Sequence, residues 1–186
     1  DTETVSLKNR DLIGIGLRAG NLGLYASDAS PLIERVLELL SDRTICKVFY
    51  NAMFDLTVID AYCNALDFAP PDTSNISDVF TMAQMQALPP GLFALGIYLL
   101  HERIDEISDI LPDRKTMLDL PFEVVAKKCL NDAKTTHRLY DLMKGDWWHK
   151  SAFQQDSWVW HPPELVWVDG TEYDPSCPDS FTVTPG

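Results

Sequence analysis

A mixed α/β domain is the fold this sequence predicts, on three observations. Strand-like and helix-like stretches follow one another in the order β-β-α-β-α before the chain turns mainly helical. The apolar residues recur at helical spacing in some stretches and run as β-branched clusters in others. Turn and capping residues stand between them.

The elements justify themselves in order. "DLIGIGLRAG" and "LGLYAS" flank Gly20-Asn21, a turn signal, and together predict a hairpin. In "SPLIERVLELLSD", Ser30 is a capping residue and Pro31 suits a first helical turn. Leu32, Ile33, Val36, Leu37, Leu39 and Leu40 then form one apolar helical face. "TICKVFYN" is β-branched and apolar and predicts a buried strand. "AMFDLTVIDAYCNAL" restores the helical period, with Phe54, Val58, Ile59 and Tyr62 on one side. A Pro/Asp/Ser/Asn-rich loop is expected over 69–77. Two helices split by Pro89-Pro90 follow, and "RIDEISDILPDRKTMLDLP" is less regular. The last periodic stretch, "PFEVVAKKCLNDAKTTHRLYDLMK", predicts a helical pair or one broken helix.

Composition narrows the function. At 186 residues and 46% hydrophobic, the chain can fill a core. No apolar run approaches the roughly 20 residues that span a bilayer, and no signal peptide is recognisable, so no membrane partner is expected. The net charge of -13 argues against a broad basic surface for nucleic acid. It leaves room for a nucleic-acid enzyme whose positive charge comes from metal ions. Cys46, Cys63, Cys129 and Cys177 form no CxxC pair, which suggests reduced thiols and a cytoplasmic or other reducing compartment. His149, His161 and Cys177 match no common zinc spacing.

The acids fall at telling places. Alternation along an extended chain puts Asp1 and Glu3 on the same face. Asp55 stands where a strand gives way to a helix, and Asp132 stands on the late helix. Four carboxylates converging there would repel one another without cations. Two divalent ions about 3.5–4 Å apart clamp the attacking and leaving oxygens of a phosphoryl displacement, and hard ions such as Mg²⁺ or Mn²⁺ take carboxylate oxygen.

Three motifs carry a resemblance: D-x-E in "DTET", N-x-x-x-D in "FYNAMFDLTVID", and an Asp followed by A-x-x-T-x-x-L in "NDAKTTHRLY". In this order they resemble the DEDD superfamily of 3′–5′ exonucleases. The nearest likeness is to the proofreading exonuclease domain of family A (polymerase I type) DNA polymerases, with ribonuclease D close by. The stretch "SDVFTMAQMQALPPGLFALGIYLL" resembles that family's linker, where an Asp starts a helix and a Leu-rich helix follows. The resemblance covers residues 1–144. It implies a ribonuclease-H-like fold, a mixed central sheet flanked by helices, and two divalent ions, Mg²⁺ or Mn²⁺, held by Asp1, Glu3, Asp55 and Asp132. It further implies that Asn51 and Phe54 shape the site near the scissile nucleotide and that Thr2 contacts it through its backbone.

The pattern departs in two places. The superfamily has a Tyr four residues, or a His five residues, before the last Asp, where it orients the attacking water. Here those positions are Lys128 and Lys127. A lysine, with an ordinary pKa of about 10.4, is a poor general base beside carboxylates. As a catalytic residue Lys128 would donate a hydrogen bond to the water or a phosphate oxygen; otherwise it is a solvated helix residue. His137 lies about a turn and a half beyond Asp132 and is expected to be an ordinary half-exposed histidine. The second departure is that the family's Asp ends an apolar strand, whereas nothing precedes Asp1, so a truncated first strand is expected.

From 145 to 186 the composition changes to a Trp/Pro-rich extension. It holds all five tryptophans, Trp147, Trp148, Trp158, Trp160 and Trp167. With Lys150 its only lysine or arginine, packing is expected of it before base stacking. The expected function is a 3′–5′ exonuclease on single-stranded or frayed DNA ends, proofreading for a polymerase region on the same or another chain. The alternatives are an RNA-trimming enzyme like ribonuclease D, and a catalytically impaired structural or nucleic-acid-binding module.

Overall fold

The computed structural model describes residues 1–6, 8–111 and 115–145. The Trp-rich stretch, and with it His149, His161 and Cys177, lies outside the described residues. Three strands, β1 (Thr2–Thr4), β2 (Leu12–Ala19) and β3 (Leu22–Ser27), form an antiparallel sheet in that order. Glu3 stands opposite Gly14, and a bulge follows between Glu3 and Thr4. The predicted hairpin is present: Leu17 pairs with Leu24 and Ala19 with Leu22. Gly20 takes the left-handed conformation, φ +54°, that its turn requires.

Helix α1 (Leu32–Ser41) follows, with the Leu32 N–H donating to the Ser30 hydroxyl at 3.2 Å. Its buried face is Ile33, Val36, Leu37 and Leu40. The expected strand over "TICKVFYN" is shorter than predicted. Only Lys47–Phe49 pair (β4), because Ile45 and Cys46 are exposed ahead of the ladder. Lys47 is buried with its Nζ donating to the Asp42 carbonyl at 3.1 Å, so its apolar stem lies inside while its charge has a partner.

The expected loop over 69–77 ends in a strand, β5 (Ile76–Asp78), parallel to β4, with Phe49 opposite Asp78. Three residues carry no visible period, and only a partner strand makes them a strand. Antiparallel and parallel pairing are thus both present, as two small ladders flanked by helices. Helices α2 (Ala52–Ala65), α3 (Val79–Met85) and α4 (Leu92–Leu100) match the periodic stretches. A short helix α5 (Ile107–Ile110) and a 3₁₀ turn (Met117–Asp119) occupy the irregular region.

The last stretch is one unbroken helix, α6 (Phe122–Met143), and not a broken one or a pair. No Gly or Pro interrupts its 22 residues. Its Ala133, Thr136 and Leu139, the A-x-x-T-x-x-L positions, are buried along one face. One apolar core gathers Leu12, Ile15, Ala26, Val36, Val58 and Ile59 from β2, β3, α1 and α2. A second joins α3, α4 and α6 through Val79, Ala83, Leu95, Leu139 and Met143. Each large side chain buried there contributes about 1.5–3 kcal/mol of transfer free energy.

Helix α6 approaches β2 closely at one point. A Cβ on Gly16 would stand 2.7 Å from Cys129 Sγ. Gly16→Ala is therefore expected to cost about 1–3 kcal/mol, measured as a lower urea midpoint with an unchanged slope. Adding Cys129→Ala removes the clashing sulfur and should recover much of that loss, giving non-additive changes in a double-mutant cycle.

Candidate active site

The site is built on β1. Asp1 and Gly16 exchange both backbone hydrogen bonds, at 2.8 and 3.1 Å, which carries the β1–β2 ladder up to Asp1. In that extended segment Asp1 and Glu3 share a face. Asp1, Glu3 and Cys129 each bring a ligand atom within 4.8 Å of the others. Glu3 is buried at 7% exposed.

On the other edge of β1, the Thr2 N–H donates to Asp55 Oδ1 at 2.8 Å and the Thr2 hydroxyl donates to the same oxygen at 2.9 Å. Asp55 is in the first turn of α2, where the positive end of the helix favours an acid. Both Thr2 bonds fall on Oδ1, so Thr2 leaves Oδ2 to other partners. The backbone contact to a nucleotide expected of Thr2 is not what its N–H makes: that group is committed to Asp55, and Thr2 is buried. Its role here is to aim Asp55.

The turn into α2 depends on Asn51, which adopts a left-handed conformation, φ 63° and ψ 58°. Its N–H donates to Asp78 Oδ1 at 2.8 Å. Asp78 also accepts from the Phe80 N–H and the Thr81 hydroxyl, so one carboxylate caps α3 and holds the turn before α2. Phe54 lies one residue before Asp55, half-buried, with the Arg10 guanidinium 5.4 Å from its ring centre.

Helix α6 brings the last acid. Asp132 and Lys128, one turn apart, form an ion pair through Asp132 Oδ2, each side chain 13% exposed. Lys128 is thus not the solvated residue the sequence allowed. His137 faces elsewhere, within 3.2 Å of Asp141 and half-exposed, the ordinary surface role expected of it. A cavity of about 280 Å³ lies beside the pair, lined also by Ile104, Asp105, Ile110, Lys127 and Asn131.

The charges interact strongly. Burial pushes the Glu3 carboxyl up to about 7; Lys128 pulls it down, while Asp132 and Asp55 push it further up. Burial also raises Asp55, against the Thr2 hydrogen bonds, and raises Asp132, against the Lys128 ammonium. Burial draws Lys128 down, but Asp132 and Glu3 outweigh it and hold the ammonium above its ordinary value. Burial lifts the Cys129 thiol to about 12, so it is protonated at neutral pH. The donor set for a cation is therefore carboxylate oxygen, which fits a hard divalent ion.

Of the acids singled out in the sequence, Asp1 and Glu3 stand together. Asp55 and Asp132 lie outside that 4.8 Å set but within reach of Glu3's charge. Cys129 and Arg10 were missed. The spacing of three between Cys129 and Asp132 on one helix was the available signal for the first. Nothing local marks the second, because Arg10 meets Phe54 only through folding.

No family model matches the chain, and no curated protein is significantly similar to it. Among solved structures it is similar to the EXD2 exonuclease domain soaked in Mn and Mg. The identity is 19% over 87% of this chain and 84% of that chain, with a TM-score of 0.35. It is likewise similar to the same domain soaked in Mg and GMP, at 18% identity over 87% and 83%, with a TM-score of 0.34. At these values the site is read from this chain's own residues.

The Glu3 shift gives a pH signature. An acid whose folded pKa lies above its unfolded value of 4.5 binds more protons when folded. Stability therefore falls as pH rises from about 4.5 to about 7. In chelator, Glu3→Gln should be more stable than the parent at pH 8 by up to about 3 kcal/mol. The difference should shrink towards pH 5, as read from urea midpoints at the two pH values.

Proposed function

We propose that this chain is a metal-dependent DEDD-type 3′–5′ exonuclease with a ribonuclease-H-like fold, acting on single-stranded or frayed DNA ends. What supports this is that Asp1 and Glu3 stand together at the start of β1, with Asp55 from α2 and Asp132 from α6 near enough to act on the charge of Glu3. Each of the three motifs supplies one of those elements, in the expected order. The resemblance of the motifs and of the linker stretch to a polymerase proofreading domain is what favours proofreading as the context.

Asp1, Glu3, Asp55 and Asp132 would hold Mg²⁺ or Mn²⁺: Glu3 and Asp55 are buried, and the repulsion of Asp132 and Asp55 on Glu3 fits a site that takes such ions. Bound divalent ions supply a water of lowered pKa and polarise the phosphate oxygens of an in-line displacement. The protein's own groups do the rest. Thr2 holds Asp55 in one orientation, and Asp78 holds the turn that presents Asn51 and Phe54. Phe54, with Arg10 over its ring, offers an apolar face and a positive charge where a terminal nucleotide would lie. Lys128 offers N–H donors but no basic lone pair at neutral pH.

The Lys128–Asp132 ion pair favours a second reading, a nucleic-acid-binding module with an idle centre. A 5′-labelled single strand incubated with Mn²⁺ or Mg²⁺ separates the two. The enzyme shortens it stepwise from the 3′ end, and Asp132→Ala slows this by at least the roughly 10–100-fold typical of disturbing a metal site. Retained binding of the strand with no shortening under either metal supports the module instead. An RNA strand in parallel tests the ribonuclease D-like alternative.

A further inference from the structure

We propose that Tyr25 on β3 is a positioning residue of this site: its phenol hydroxyl donates a hydrogen bond to the Glu3 carboxylate when Glu3 takes a cation. This rests on the metal-centre reading above and adds a residue to it. Gly14 on β2 stands opposite Glu3 on β1 and opposite Ser27 on β3, so the three positions share one face of the sheet. Glu3 meets Cys129 of α6 on that face. Tyr25, two residues before Ser27, is on the same face. Its phenol fills the space that Gly14 leaves: a Cβ on Gly14 would stand 2.5 Å from Tyr25 Cζ and closer still to the hydroxyl. The side chain thus crosses β2 towards β1, and Phe122 packs edge-on against its ring, centroids 5.5 Å apart.

Among the described residues, the Tyr25 hydroxyl is the one buried side-chain oxygen or nitrogen without a hydrogen-bond partner. Buried polar groups are otherwise paired, so this one points to an acceptor that another state of the site supplies. Three groups are near enough to act on it: Cys129, Glu3 and Asp28. The Cys129 thiol is itself a donor, 3.5 Å from the Asp1 carbonyl. Asp28 is exposed and has water for a partner. Glu3 is buried. Opposed Cβ positions in an antiparallel pair lie about 4.5–5.5 Å apart, so a hydroxyl over Gly14 is within a glutamate's reach. The Thr2 hydroxyl already holds Asp55 in this way. A donor on one carboxylate oxygen of Glu3 fixes the group and leaves the other oxygen to the ion.

The test reads ion binding and does not depend on turnover. The full chain is stripped with chelator and titrated with Mn²⁺ by calorimetry. Tyr25→Phe removes the hydroxyl and keeps the ring. It is expected to weaken Mn²⁺ binding roughly 10–100-fold, with no lowering of the urea midpoint in chelator. In the parent, adding Mg²⁺ should change the near-ultraviolet tyrosine absorption, and Tyr25→Phe should lose that change. Tyr25→Met replaces Tyr25→Phe if the latter does not melt cooperatively.

Equal Mn²⁺ affinity in the folded variant, with or without a lowered midpoint, is what packing alone would give. It would overturn the proposal and leave the exonuclease reading standing. So would a parent that binds Mg²⁺ with no change in tyrosine absorption. No bound ion in the parent would overturn both.

Discussion

Helix α6 lying across β2 is the constraint on which the rest of the site depends. The contact is close because Gly16 has no side chain and Cys129 fills the space a Cβ would take. The same sulfur lies 3.5 Å from the Asp1 carbonyl, so the helix touches β2 and the segment leading into β1 at once. Asp132, one turn along from Cys129, is carried to the site by that docking. The buried face of Ala133, Thr136 and Leu139 sets the helix's rotation about its axis. A different residue at Gly16 would lift the helix and move Lys128 and Asp132 together relative to Glu3.

Charge crowding is the second constraint, and it works against stability. Glu3 and Asp55 are buried, and Asp132 is nearly so. Buried carboxylates are tolerated where they are hydrogen-bonded or paired. Thr2 does this for Asp55 and Lys128 does it for Asp132. Among the described residues Glu3 has neither kind of partner, and burial drives its carboxyl up to about 7. That imbalance is expected of a site that gains its remaining positive charge by binding a ligand, at some cost to the unliganded fold.

Much of this was legible in the chain because the signals are local. Gly20-Asn21 marked the hairpin, and Ser30 marked the start of α1. The strand-to-helix step before Asp55 placed that acid at a helix N-terminus. Alternation put Asp1 and Glu3 on one face. The misses were non-local. β5 exists because β4 lies beside it, and Ile76–Asp78 alone has no distinguishing pattern. The Thr2 N–H is drawn to a residue 53 positions away, which no spacing rule anticipates. The unbroken α6 was obscured because buried Thr135 and Thr136 weaken the apolar period without breaking the helix.

By itself, the sequence determined which acids are available, the order in which strands and helices present them, and that a lysine stands four residues before the last of them. These depend on residue identity and on periods of two and 3.6, which a chain carries before it folds. Only the tertiary structure decided that Thr2 serves Asp55, that Asp78 holds the turn at Asn51, and that Lys128 is drawn in to neutralise Asp132. Those choices arise when burial strips water from polar groups and each must find a partner among whatever packing has brought near.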